Sequence, residues 1–177
     1  GEVHALCGEN GSGKSTLLKV LSGQVKSDDG IVVLAGGAVN FRSPVESLQA
    51  GIATVTQERS LVNELSVAEN VMMGASKSRS VWGINWSKTR SRAAEILAKL
   101  DFNADVDTLV SEVPPGQAQL VEIARAISGE MKVLILDEPT SSLSTHEVES
   151  LFKSVGTLRD SGVAIVFISH RMQEVFA

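Results

Sequence analysis

Residues Gly8-Glu9-Asn10-Gly11-Ser12-Gly13-Lys14-Ser15-Thr16 set glycines, a lysine and hydroxyls at the spacing of a phosphate-binding loop. The glycines Gly8, Gly11 and Gly13 let the backbone turn tightly and aim successive N–H groups at phosphate oxygens. A helix starting after them adds the positive end of its dipole. In such a loop Lys14 reaches the terminal phosphates and the Ser15 hydroxyl holds Mg²⁺. Far downstream, the apolar run Val133-Leu134-Ile135-Leu136 ends in Asp137 and Glu138, one carboxylate suited to the Mg²⁺ shell and one to polarising an attacking water. A third apolar run, Val163 to Ile168, ends in Ser169-His170, where the imidazole can hydrogen-bond a γ-phosphate or its attacking water. Taken singly, each motif has a bland counterpart: a glycine-rich turn, a solvated cap, a surface histidine. Together they point to a nucleoside triphosphate and phosphoryl transfer.

The elements that must position these groups can be read around them. Val3, Ala5, Leu6 and Cys7 read as a buried strand before the loop, and Leu17, Leu18, Val20 and Leu21 as a helix face that stops at Gly23. Continuous apolar runs suit a parallel sheet covered on both faces, and the carboxyl ends of its strands are where open α/β sheets bind ligands. The loop, Asp137-Glu138 and Ser169-His170 are therefore expected on one sheet edge. Asp28-Asp29-Gly30 marks a turn, and residues 31–41, with Gly36-Gly37 inside, read as a hairpin. Residues from about 60 to 127 read as helices. Ser87 is the expected cap of a helix burying Ala93, Ile96, Leu97 and Leu100, and Leu120, Ile123, Ala124 and Ile127 repeat that spacing. A capping-box pattern, Ser144-x-x-Glu147, opens a helix burying Val148, Leu151, Phe152, Val155 and Leu158, which returns the chain to the last strand as a right-handed crossover.

With these motifs in place, the whole chain resembles the ATP-binding subunits of ABC transporters. Gly51-Ile52-Ala53-Thr54-Val55-Thr56-Gln57-Glu58 looks like the strand and glutamine loop of that family, and Leu65-Ser66-Val67-Ala68-Glu69-Asn70 is similar to the segment after it. Gly116-Gln117, followed by Gln119, Val121, Glu122, Ile123 and Ala124, resembles the signature helix, and Ser141-Ser142-Leu143-Ser144 sits where the family has its dimer-facing loop. The stretches GENGSGKST, GIATVTQE, QLVEIARA and ISHRMQEVF are most similar to importers of ribose, galactose and xylose.

The resemblance implies an α/β fold: a P-loop NTPase core with a parallel sheet at residues 1–59 and 128–177, and an inserted α-helical subdomain at residues 60–127. It implies ATP and Mg²⁺ as cofactors, Mg²⁺ held by Ser15 and Asp137 and touched by Gln57, and catalysis of ATP hydrolysis by Glu138, His170 and Gln57. It implies a second ATPase domain in a head-to-tail sandwich and a transmembrane permease contacted through residues 58–75. A solute-binding protein would act indirectly, and the place of work would be the cytoplasmic face of the cell membrane. Against the family both ends look truncated, without the early strands whose aromatic residue stacks on adenine, and the chain has no tyrosine to take that role.

One departure stands out. The family signature reads Leu-Ser-Gly-Gly-Gln or near it, whereas this chain has Val113-Pro114-Pro115-Gly116-Gln117. Proline removes the hydroxyl at position 114 and the N–H at both 114 and 115. In the family those groups contact the γ-phosphate bound by the opposite domain. The implied consequence is one competent and one impaired composite site, unless the pair is simply a tolerated first helical turn.

Other features are read conservatively. The run Lys88-Thr89-Arg90-Ser91-Arg92 occupies about one helical turn in a chain of net charge -5, so a solvated face is expected and a nucleic-acid partner is not. Met72-Met73 read as helix packing, Trp82 and Trp86 as anchors of the helical region, and Cys7 as a small buried hydrophobe. With 177 residues, 43% of them apolar, the chain can build one substantial core, and a single cysteine excludes an intramolecular disulfide framework and fits a reducing compartment. No apolar run approaches the ~20 residues needed to cross a bilayer, and no signal-peptide pattern is present. The rival readings are a soluble ABC ATPase of translation or DNA repair, and a regulatory domain that binds nucleotide without hydrolysing it.

Overall fold

The computed structural model describes residues 1–9, 11–57, 60–73 and 85–175. Asn10, Glu58 and Trp82 fall outside them. The apolar runs form four parallel strands, β1 (Val3–Leu6), β4 (Ile52–Val55), β5 (Val133–Asp137) and β6 (Ala164–Ile168), in the order β1-β6-β5-β4. Register carries Leu6 opposite Ile168, Asp137 opposite Ile168 on the other side of β6, and Val55 opposite Leu136. The segments that follow all four strands therefore leave the sheet at one edge. A hairpin of β2 (Val32–Leu34) and β3 (Gly37–Val39) forms where the paired glycines anticipate it.

Alternation along β5 splits the core between two faces, because successive side chains point to opposite sides of a strand. Leu134 and Leu136 join Val55, Ile165 and Phe167 in the larger cluster, while Ile135 joins Ile52, Ile168, Leu18 and Phe41 in the smaller. Helix α1 (Lys14–Leu21) covers the second face with Leu18, leaving Leu17 exposed. The first face is covered by α5 (Pro115–Ala126) and α6 (Thr145–Asp160), whose Leu151, Val155 and Leu158 are buried as the spacing predicts. Phe152 of α6 meets Phe167 of β6 at 5.5 Å between ring centroids, a tilted aromatic pair.

Helices α3 (Val67–Met73), α4 (Trp86–Leu97) and α5 account for much of residues 60–127, but not all of it. Residues 101–109 carry no helix, short 3₁₀ turns occupy Ala98–Leu100 and Val110–Glu112, and Ser66 pairs with Leu109 in an isolated β-bridge. Helix α5 is buried nearly all round, from Gly116 through Ala124 apart from Gln117, rather than along one stripe. That is the pattern of a central helix packed by α3, α4, α6 and the sheet. Its neighbour α3 starts at a reciprocal capping box: Glu69 accepts from the Ser66 N–H at 2.8 Å, and Ser66 Oγ accepts from the Glu69 N–H at 3.2 Å. Fully buried Asn70 bonds both backbone groups of Val62, fixing the chain ahead of α3.

Several expectations need correction. Strand β1 is exposed along most of its length and Cys7 is exposed, because β1 is an edge strand paired only with β6 among the described residues. The cap of α4 is Asn85, whose side chain accepts from the Lys88 N–H at 3.0 Å; Ser87 lies inside the helix. Trp86 opens that helix at 46% exposure and so is no buried anchor, and Met73 is 58% exposed while Met72 packs. The basic run is a largely solvated face, as expected, with Arg90 paired to Asp107 and only Thr89 buried. Helix α2 (Pro44–Ala50) went unanticipated, although Ser43-Pro44-x-Glu46 and Gly51 at its ends are cap signals: Ser43 accepts from the Glu46 N–H, and Gly51 takes the left-handed conformation.

Candidate functional site

The segment from Gly8 to Ser15 follows β1 and enters α1, the strand-loop-helix context that a phosphate loop requires. Gly11 and Gly13 adopt φ of 85° and 94°, conformations glycine tolerates freely, and a Cβ on Gly8 would lie 2.6 Å from Ser12 Oγ. Lys14 folds back over this loop. Its Nζ donates to the carbonyls of Gly8 at 2.6 Å and Glu9 at 2.9 Å, so the ammonium is pinned across the loop. Ser15 and Thr16 lie exposed in the first turn of α1.

At the end of β5, Glu138 adopts φ 47°, in the left-handed region where a residue with a Cβ costs roughly 1–2 kcal/mol. The surrounding backbone fixes it there: the Glu138 N–H donates to the Ile168 carbonyl at 3.1 Å, and the Ser141 N–H donates to the Glu138 carbonyl at 3.3 Å. This turn brings the Glu138 carboxylate, 19% exposed, to 3.0 Å from His170 Nδ1. The structure thus joins two groups 32 residues apart that the sequence reading assigned to one reaction.

Asp137 holds its proton more tightly than an ordinary aspartate, because burial disfavours its charge and Glu138 repels it, with Lys14 acting in the opposite direction. β1 and β5 both pair in parallel with β6, so the loop after β1 and Asp137 at the end of β5 lie on one sheet edge. Gln57 lies exposed just beyond β4, the strand paired with β5. The donors suit a hard divalent cation: the Ser15 hydroxyl and the Asp137 carboxylate are oxygen ligands. Among the described residues no group of three or more His, Cys, Asp or Glu side chains gathers as a cage. A cation held here would draw its remaining oxygens from phosphate and water, which is the habit of Mg²⁺.

The raised affinity of Asp137 for its proton has a stability consequence with a definite sign. An acid whose folded pKa lies above its unfolded value burdens the fold above the ordinary aspartate range, and the burden vanishes as pH falls below it. Asp137→Asn is therefore expected to raise Tm at neutral pH while weakening Mg²⁺-dependent nucleotide binding. Thermal melts from neutral pH downward check this; a lower Tm, or a gain that persists unchanged into acid, contradicts it.

The signature residues lie at the start of α5. Pro114 is the N-cap and Pro115 the first helical residue, a position where a missing N–H costs nothing, so the helix accommodates both prolines. Pro114 offers no side-chain cap. Instead Glu147, from the first turn of α6, reaches over: its Oε1 accepts from the Gly116 N–H at 2.8 Å, and its Oε2 accepts from the Ser144 N–H at 2.8 Å and the Ser144 hydroxyl at 2.7 Å. The contact is close enough that a Cβ on Gly116 would lie 2.3 Å from that carboxylate. Gln117 accepts from the Asn103 N–H at 3.0 Å. Farther along α5, Glu122 accepts from the Ser60 N–H at 2.7 Å and Arg125 donates to the Ser60 carbonyl at 2.8 Å, tying this helix to the segment that follows Gln57. Glu147 was read from the sequence as the capping-box partner of Ser144, but its reach to Gly116 and the Ser60 clamp were not.

A parallel sheet with a phosphate loop after one strand and paired carboxylates after another defines a P-loop nucleotide-binding protein. The ABC transporter profile matches residues 1–141, and the chain belongs to that family. It is 46% identical to a ribose import ATP-binding protein of Rubrobacter xylanophilus, over 99% of this chain and 34% of that protein. It is 44% identical to a galactose/methyl galactoside import ATP-binding protein of Clostridium tetani, over 99% of this chain and 35% of that protein. The chain thus spans about a third of the length of these relatives. Among solved structures, a nucleotide-free ATP-binding cassette from an ABC transporter superposes with a TM-score of 0.84 at 29% identity, covering 99% of this chain and 73% of that one. A dimeric ATP-binding cassette bound to ADP and Pi superposes with a TM-score of 0.80 at 26% identity, covering 97% and 75%.

Proposed function

We propose that the chain binds and hydrolyses ATP to energise import of a monosaccharide through a membrane partner. The observation that carries this reading is the Glu138–His170 pair at 3.0 Å, on the sheet edge to which the Lys14 loop and Asp137 also belong. The names of the sugar-import relatives supply the solute class.

In the proposed reaction, backbone N–H groups of Gly11 to Lys14 hold the phosphates and Lys14 neutralises charge that develops on them. Mg²⁺, when bound, would supply further positive charge against the phosphate oxygens; Ser15 and Asp137 are the residues that would hold it and Gln57 one that would touch it. Glu138 orients or deprotonates the attacking water, and His170, bonded to Glu138, would hydrogen-bond the γ-phosphate or that water. Little covalent work is asked of the protein, since positioning and charge stabilisation dominate this chemistry.

Residues 1–59 and 128–177 would form the catalytic core and residues 60–127 a helical subdomain. The partners would be a second ATPase domain packed head to tail, a permease contacted near residues 58–75, and indirectly a solute-binding protein, at the cytoplasmic face of the membrane. Among the described residues no helix is long and apolar enough to cross a bilayer. One observation favours an impaired signature at the opposite site: with prolines at 114 and 115, Gly116 carries the first N–H of α5, and Glu147 already accepts it.

The test is ATP turnover by the full-length protein reconstituted with its permease and binding protein. Stimulation by a monosaccharide, with a modest gain on restoring Pro114→Ser and Pro115→Gly together, is the expected result. Turnover indifferent to every monosaccharide tried would remove the import reading.

A further inference from the structure

The loops that carry Glu138 and His170 share a buried carboxylate to which the reaction above gives no role. Glu174, in the short helix α7 (Met172–Val175), has a side chain only 7% exposed. Its Oε1 accepts from the Thr140 hydroxyl at 2.8 Å, and its Oε2 accepts from the Ser169 hydroxyl at 2.5 Å. Arg171 Nη1 approaches Oε1 at 3.5 Å. Thr140 lies two positions after Glu138 and Ser169 one before His170, so a single carboxylate bridges the two loops from opposite sides.

The bridge is not interchangeable with solvent. Thr140 is 3% exposed and Ser169 2% exposed, so neither hydroxyl has ready access to water, and an unpaired buried hydroxyl is costly. Ser169 is used twice, donating to Glu174 while its oxygen accepts from the Arg171 N–H at 2.9 Å. That leaves the backbone on both sides of His170 fixed. On the other loop, Glu138 sits in a left-handed conformation that persists only where its surroundings over-determine it. The bonds from its N–H to the Ile168 carbonyl and from the Ser141 N–H to its own carbonyl are two such restraints, and Thr140 held by Glu174 is a further one.

We propose that Glu174 is a positioning residue that clamps the Thr140 and Ser169 loops together and so holds Glu138 and His170 at their working separation. The inference rests on the reading of Glu138 and His170 as the reacting pair for its effect on turnover. It does not need that reading for its effect on structure. Glu174→Gln keeps the shape but turns one acceptor oxygen into a donor, so one of the two hydroxyls loses its partner.

In the full-length protein, Glu174→Gln is expected to lower kcat about tenfold, the loss of one hydrogen bond to a charged group, with KM for ATP nearly unchanged. Hydrogen exchange at the Glu138 amide is expected to accelerate by about the same factor. Thr140→Val, which removes one hydroxyl and leaves the carboxylate, should accelerate the same amide. Unchanged exchange in both variants overturns the inference. So does a rise in KM that matches the fall in kcat, the mark of general loosening rather than positioning. Glu138→Gln run in parallel separates the two levels: if it retains wild-type turnover the catalytic reading fails, and exchange at the Glu138 amide still decides the clamp.

Discussion

Glu138→Gln is expected to reduce ATP turnover by about 10²- to 10⁴-fold, the usual contribution of a positioned general base, while nucleotide affinity stays close to wild type. The separation of the two effects follows from the geometry. Glu138 bonds His170, and glutamine preserves its size and an acceptor toward Nδ1. What is lost is the ability to take a proton. The substitution also removes one of the charges that raise the affinity of Asp137 for its proton, so affinity for Mg²⁺-nucleotide should hold or improve slightly. Steady-state turnover with parallel nucleotide titrations makes the measurement. Turnover within about threefold of wild type, far less than a lost general base would cost, would leave a nucleotide-binding switch as the better account.

Lys14→Ala is expected to weaken nucleotide binding by about 10- to 100-fold, the range for charge-assisted hydrogen bonds to phosphate. The Gly8 and Glu9 carbonyls hold the ammonium at the loop in the folded chain, so the site is organised around that charge before ligand arrives. Arginine should rescue poorly, because its planar fork does not fit where a compact ammonium bonds two convergent carbonyls. Calorimetric titration with ATP checks both variants; wild-type affinity in Lys14→Ala would refute the assignment of the loop. Among the described residues the Lys14 side chain bonds its own loop, so the fold should survive the change, and a thermal melt serves as the control.

Much of this site was legible because it is local. The phosphate loop, the Asp137-Glu138 pair and the Ser144-x-x-Glu147 box each lie within a few residues, and the physics that shapes them operates at that range. Parallel register then follows from strand composition, which is why the loop, Asp137 and His170 arrive at one edge. The failures have the opposite character. An apolar run such as Val3–Leu6 reads the same at an edge as at the centre of a sheet, so its exposure was invisible. Asn85 and Ser87 are both good caps two residues apart, and only the packing of Thr89 and Ala93 chooses the frame. Glu147 on the Gly116 N–H spans 31 residues and Glu174 on Thr140 spans 34, contacts that exist only once the sheet has closed. A buried glutamate just past a strand-end Ser-His was the available signal for the second, and apolar periodicity does not report it.

The exposed edge strand has a practical corollary. Cys7 is the only cysteine in the sequence, it is exposed, and the next residue opens the phosphate loop. A thiol-directed dye added to this chain has a single place to attach, one peptide bond from Gly8. Fluorescence from that position would report events at the loop without any engineered label.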